Sequence, residues 1–137
     1  MPSETANPTG SSLQEEPVRG HVFVVDDDGA VCEALAVLAE SAGYAASRFA
    51  SGEDFLAALD RLPPGCAVVD VTMPVVDGPA VLAAVKARKH TAAVIFVTAY
   101  DEPHTHEHLL RDGGRAVFLK PVDPVTPLQE IAKALDA

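Results

Sequence analysis

From His21 onward, short apolar runs alternate with longer segments whose apolar residues recur at helical spacing. His21-Val-Phe-Val-Val25 is β-branched and suits a strand buried on both faces. Three aspartates end it. Val31, Leu35, Leu38 and Ala42 then follow a helical period, with Asp28 as the opening cap and Gly43 as the stop. Residues 44–49 predict a second, weaker strand. Ser51-Gly-Glu-Asp54 resembles a capping signal for a helix carrying Phe55, Leu56 and Leu59, which Pro63-Pro64-Gly65 breaks. Residues 66–69 predict a third strand ending at Asp70, and 71–79 a loop. A helix over 80–89 turns Val81, Leu82 and Val85 inward. Residues 93–97 predict a fourth strand ending at Thr98, and 103–112 a polar helix stopped by Gly113-Gly114. Residues 116–119 predict a fifth strand ending at Lys120-Pro121. A helix over 124–136 closes the chain, with Leu128, Ile131 and Leu135 facing in.

Five strand–helix units in strict alternation imply an α/β fold, a parallel sheet with helices on both faces. Ligands of such open sheets bind outside the carboxyl ends of the strands. Parallel strands would bring Asp26, Asp27, Asp28, Asp70, Thr98 and Lys120 to one edge. A single aspartate at a strand end is ordinarily a cap or turn residue, and Asp28 before Gly29 reads as one. Asp26, Asp27, Asp70, Thr98 and Lys120 together read differently. Clustered carboxylates repel one another, and a hard divalent cation relieves the repulsion. Oxygen ligands with spare water positions suit Mg²⁺. The Lys120 ammonium and the Thr98 hydroxyl add donors for an anionic oxygen. Metal, ammonium and hydroxyl together describe a receptor for a phosphoryl group. Asp70, alone on its strand, is the candidate nucleophile, while the Asp26–Asp28 run can hold the metal.

Composition narrows the choices. The 137 residues carry 20 acidic and 10 basic side chains, a net charge of −10, which excludes a dedicated nucleic-acid binder and a polybasic membrane-surface protein. No apolar run is long enough to span a bilayer, and the N-terminus lacks a secretory signal. Cys32 and Cys66 read as small core residues of a cytoplasmic protein rather than a disulfide framework or a zinc site. Residues 1–20, rich in Pro, Ser, Thr, Glu and Gly, read as a disordered tail ahead of a domain at 21–137.

Taken in order, Val24-Val25-Asp26-Asp27-Asp28, Val69-Asp70-Val71-Thr72-Met73-Pro74, Asp77-Gly78, Val97-Thr98-Ala99 and Leu119-Lys120-Pro121 resemble the receiver domain of bacterial two-component response regulators. The texture is similar to receivers of the LuxR/FixJ-type subfamily. The resemblance covers residues 20–137. It implies a flavodoxin-like (CheY-like), doubly wound, five-stranded sheet in the order 2-1-3-4-5. It implies that Asp70 accepts the phosphoryl group, and that Asp27 holds Mg²⁺ directly and Asp26 through water. Asp70 and the Thr72 backbone carbonyl complete the protein ligands. Lys120 would contact the phosphoryl group, Thr98 would follow it on switching, and Pro121 would be reached through a cis peptide. Ala99, Tyr100, Val117 and Pro121 are the switch or modulating positions. The implied partners are a histidine kinase and, on the output side, a histidine phosphotransfer protein or a target protein. The chain would be a monomer or a weak homodimer formed on the surface of the fourth helix, fifth strand and fifth helix.

Two positions depart from the family pattern. Where an aromatic residue usually stands three before the lysine, this chain has Val117, and Phe118 alternates to the other face. Tyr100 either takes over part of the switching role or shades the site. His104 and His108 lie one helical turn apart in the fourth helix, which reads as a solvated face, a pH-sensitive element or a transition-metal pair. The leading expectation is a stand-alone, single-domain receiver that is not an enzyme beyond its own phosphorylation and dephosphorylation. A truncated transcription regulator, a phosphorylation-independent receiver and a Mg²⁺-dependent phosphohydrolase are the alternatives.

Overall fold

The computed structural model describes residues 17–136. Most of the expected tail, residues 1–16, lies outside the described residues. The elements run β1 (His21–Val25), α1 (Gly29–Ser41), β2 (Ala45–Phe49), α2 (Gly52–Ala58), β3 (Cys66–Asp70), α3 (Gly78–Ala87), β4 (Ala93–Thr98), α4 (Pro103–Arg111), β5 (Ala116–Leu119) and α5 (Val125–Asp136), with one 3₁₀ turn (Leu59–Arg61) after α2. The strands form one sheet in the order β2-β1-β3-β4-β5, and every pairing is parallel. This is the doubly wound, CheY-like order. Neighbouring connections run opposite ways from β1, so the crevice of the sheet lies at the carboxyl ends of β1 and β3.

Alternation along the buried strands feeds two cores. On one face Phe23, Val25, Val69 and Phe96 meet Phe55 of α2, Val81, Leu82 and Val85 of α3, and Leu109 of α4. On the other, Val22, Val24, Val68, Ile95 and Val97 meet Cys32, Ala36 and Ala39 of α1 and Ile131 of α5. Val117 joins the first core and Phe118 the second, the alternation the pleat requires. Both cysteines are free and buried, and desolvation pushes the Cys66 thiol up to about 12.

Three details refine the sequence reading. In α1 the deepest residues are Cys32, Ala36 and Ala39, while Leu35 and Ala42 pack only at their edge. Small side chains let this helix lie close to the sheet. The third helix begins at Gly78, two residues before the expected start, because the Asp77 carboxylate caps the Ala80 amide and Pro79 fits a first turn. Arg19 and Gly20, placed in the tail by composition, bond to the backbone of Gly43 and Ala45, and the Arg19 guanidinium lies over the Tyr44 ring. Among the described residues, no helix is long and apolar enough to cross a membrane.

Candidate functional site

Asp26 follows β1 directly and is fully buried; Asp70 ends β3 and is nearly so. The strands need those apolar neighbours, so the chain holds both carboxylates rigidly where water is scarce. Asp27, Asp26 and Asp70 each present a carboxylate oxygen, and the three oxygens lie within 4.8 Å of one another. Lys120, just beyond β5, reaches across the edge. Its Nζ stands 3.0 Å from Asp26 Oδ2 and 3.5 Å from Asp70 Oδ2. The Lys120–Pro121 peptide is cis, as the family pattern implies.

The remaining polar contacts are local. Asp26 Oδ1 accepts the Asp28 amide at 2.9 Å, and Asp28 in turn caps α1 through the amides of Ala30 and Val31. The Thr72 amide donates to Asp70 Oδ1 at 3.4 Å. Thr98 is buried at the end of β4, and its Oγ1 accepts the Tyr100 amide at 3.1 Å. The Thr98 carbonyl accepts the Lys120 amide at 2.7 Å, tying the two strand ends together.

Electrostatics follow from this crowding. Burial, and then the nearby Asp26 charge, push the Asp70 carboxyl up to about 6, although Lys120 and the Thr72 amide pull the other way. Burial works against the Lys120 charge, yet its pairing with Asp26 and Asp70 raises its pKa overall. Asp26 Oδ2 is buried, and its close partner is the Lys120 ammonium at 3.0 Å. Three carboxylate oxygens within 4.8 Å of one another, against a single ammonium, are the donor set of a hard divalent cation. The residues therefore fit Mg²⁺, with Asp26, Asp27 and Asp70 as the groups that would hold it.

The loop after Asp70 is built for close approach. A Cβ on Gly78 would come within 2.8 Å of Val71 Cα and 3.0 Å of the Asp70 carbonyl, so glycine lets α3 begin against the site. Between them the Val76 amide reaches the Pro74 carbonyl at 2.8 Å, a γ-turn that forces Val75 to φ 68°. A β-branched residue is strained there, and Val75 is 87 % exposed, so burial does not compensate it.

Of the other sites read from the sequence, Tyr100 is exposed, and it lines a cavity of about 180 Å³ together with Val71, Thr72, Thr98, Glu102 and Thr105. Ala99 is exposed on the same segment. Val117 pairs with Phe96 in the sheet and packs into the core rather than beside Asp70. His104 and His108 are exposed, and among the described residues the aspartate cluster is the only group of three metal-ligating side chains at coordination distance. The sequence reading passed over Glu102, Thr105 and His106. His106 Nε2 lies 3.1 Å from the Tyr100 carbonyl, and a contact six residues back, from helix to loop, has no signature in hydrophobic periodicity.

The comparisons agree with this geometry. Residues 22–132 match the family model described as response regulator receiver domain, and the chain belongs to that family. It is 38 % identical over 109 residues to the tetrathionate response regulatory protein TtrR of Salmonella typhimurium, covering 79 % of this chain and 52 % of that protein. It is 37 % identical over 84 residues to the transcriptional regulatory protein FixJ of Bradyrhizobium diazoefficiens, covering 61 % of this chain and 41 % of FixJ. The crystal structure of full-length FixJ from B. japonicum superposes with a TM-score of 0.82 at 30 % identity, covering 88 % of this chain and 59 % of that one. The chain spans about half the length of the curated relatives it matches.

Proposed function

We propose that this receiver domain is a phosphorylation-controlled switch whose phosphoacceptor is Asp70. The observation that carries the reading is the cluster of buried Asp26 and Asp70 with exposed Asp27, and Lys120 held against the two buried members. The phosphoryl donor is the phosphohistidine of a histidine kinase, or a small phosphodonor in its place. An Asp70 carboxylate oxygen attacks phosphorus in line, the bond from phosphorus to the donor breaks, and an acyl phosphate remains on Asp70. Asp26, Asp27, Asp70 and the Thr72 carbonyl would hold Mg²⁺, which when bound would neutralise charge on the phosphoryl oxygens. Lys120 turns its ammonium from the Asp70 carboxylate to a phosphoryl oxygen, a short move given its present position. Thr98 donates its hydroxyl to another oxygen, which draws the segment after β4 and biases a pre-existing equilibrium. Water later removes the phosphoryl group, and the exposed Tyr100 ring shields it in the meantime.

The output surface we assign is α4, β5 and α5, where Leu110, Leu119 and Val125 are exposed. Its partner is a target protein, a histidine phosphotransfer protein or a second copy in a weak dimer. The receiver occupies residues 21–137, with Arg19 and Gly20 bonded to its edge, and acts in the cytoplasm.

Intact mass after incubation with phosphoramidate, with and without Mg²⁺, tests the reading on wild type and Asp70→Asn. One Mg²⁺-dependent phosphoryl adduct is expected on the wild type and none on the variant. An adduct that survives in Asp70→Asn would overturn the assignment. A wild type that binds Mg²⁺ but accepts no phosphoryl group from either phosphoramidate or a phosphorylated kinase would favour a phosphorylation-independent receiver, the reading to which Val117 lends weight.

A further inference from the structure

A short chain of hydrogen bonds leads from Thr98 to α4. Thr98 Oγ1 accepts the Tyr100 amide at 3.1 Å. The Tyr100 carbonyl lies 3.1 Å from His106 Nε2, and a carbonyl partner makes that nitrogen the donor. His106 is itself anchored in the first turn of α4, where its amide donates to the Glu102 carbonyl at 3.0 Å. Beside it the Thr105 hydroxyl donates to Glu102 Oε1 at 2.8 Å. Tyr100 is thus pinned on both sides, its amide by the switch hydroxyl and its carbonyl by a side chain of α4. The cavity of about 180 Å³ opens between this segment and Val71-Thr72 on the loop after β3. It is room into which the segment could close toward Asp70.

We propose that His106 is a positioning residue, a latch that holds the segment between β4 and α4 open and so opposes the switched state. The proposal rests on the receiver reading and names what sets its balance. At position 117, where family members carry an aromatic ring, this chain has a valine packed in the core, so a ring there cannot couple Thr98 to the rest of the domain. Here the link runs through the Tyr100 backbone to the imidazole. A bond seen in the open state stabilises that state. If closing breaks it, its removal shifts the equilibrium toward closing by roughly two- to tenfold, the net worth of one ordinary hydrogen bond.

The test uses the full chain and beryllofluoride, a phosphoryl mimic, titrated with Mg²⁺. The chain has two tyrosines and no tryptophan; Tyr44 is buried and Tyr100 is 62 % exposed, so iodide quenching of tyrosine emission reports on Tyr100. His106→Leu removes the donor, and His106→Gln restores an N–H. The Leu variant is expected to reach half-saturation at a roughly two- to tenfold lower beryllofluoride concentration, with the Gln variant returned toward wild type. A helix that merely lost stability would not give tighter binding rescued by Gln. An unchanged or weaker midpoint in His106→Leu, or a Gln variant as displaced as the Leu variant, overturns the latch. His106→Ala carries the same comparison if the Leu variant fails to fold. A wild type unresponsive to beryllofluoride overturns the phosphoacceptor reading and the latch with it. A responsive wild type beside an unaffected variant overturns the latch alone.

Discussion

Strands β1, β3 and β4 are closed off from water along nearly their whole length, whereas β5 is half-buried over its first three residues and ends at exposed Leu119. The helices divide the same way. Three side chains of α3 beyond Gly78 are buried, while α4 buries Leu109 alone. Asp26, Asp70 and Thr98 stand on the closed part of the sheet; the proposed output surface stands on the open part. Carboxylates that must stay within a few ångströms of one another need strands that cannot shift. A surface that must change shape is better placed where little packing is lost by moving.

The largest effect separates the two regions directly. Phe96, fully buried in β4, should cost about 3–5 kcal/mol when replaced by Ala, and Leu110→Ala on α4 should stay within about 0.5 kcal/mol. Urea unfolding at matched slopes measures both, and similar losses would erase the contrast. A smaller effect lies in the loop between β3 and α3, beside the closed region. Val75→Gly releases a strained φ beside the site and gives up no burial, so stability should rise by about 0.5–1 kcal/mol. A loss on that substitution would mean that the turn is not strained. The smallest effect belongs to the open region. Asp123 accepts the Thr126 and Val125 amides at the start of α5, which lowers its pKa below 3.8. A carboxyl whose folded pKa is depressed stabilises the fold fully above its unfolded value and ceases to do so as pH falls through the folded one. Stability differences between wild type and Asp123→Asn, followed by circular dichroism, should therefore be constant above about pH 5 and shrink below pH 3.8. A difference that does not vary with pH would exclude this cap as the source.

Several site residues could be read from the chain because each apolar run ends abruptly at them. Asp26 after Val25, Asp70 after Val69 and Thr98 after Val97 mark strand ends whatever the sheet order is. The caps at Asp28 and Ser51 were legible for a similar reason, since a cap bonds amides two or three residues away. The buried face of α1 was not, because Cys32, Ala36 and Ala39 are small and the eye of a periodicity reading falls on Val31, Leu35 and Leu38. Nor was the tie of His106 to Tyr100, which joins a helix to a loop at a spacing no regular element prescribes.

By itself the sequence determined the alternation of strands and helices, the capping signals and the chemistry stationed at the strand ends, because these depend on neighbours within a few residues. Tertiary structure decided the rest. The strand order brought residues 44 positions apart, Asp26 and Asp70, beside Lys120 from the far end of the chain. It buried Asp26 against the Lys120 ammonium and raised the pKa of Asp70. Solvation and charge repulsion depend on what surrounds a group in space, and that is settled only when the strands have paired.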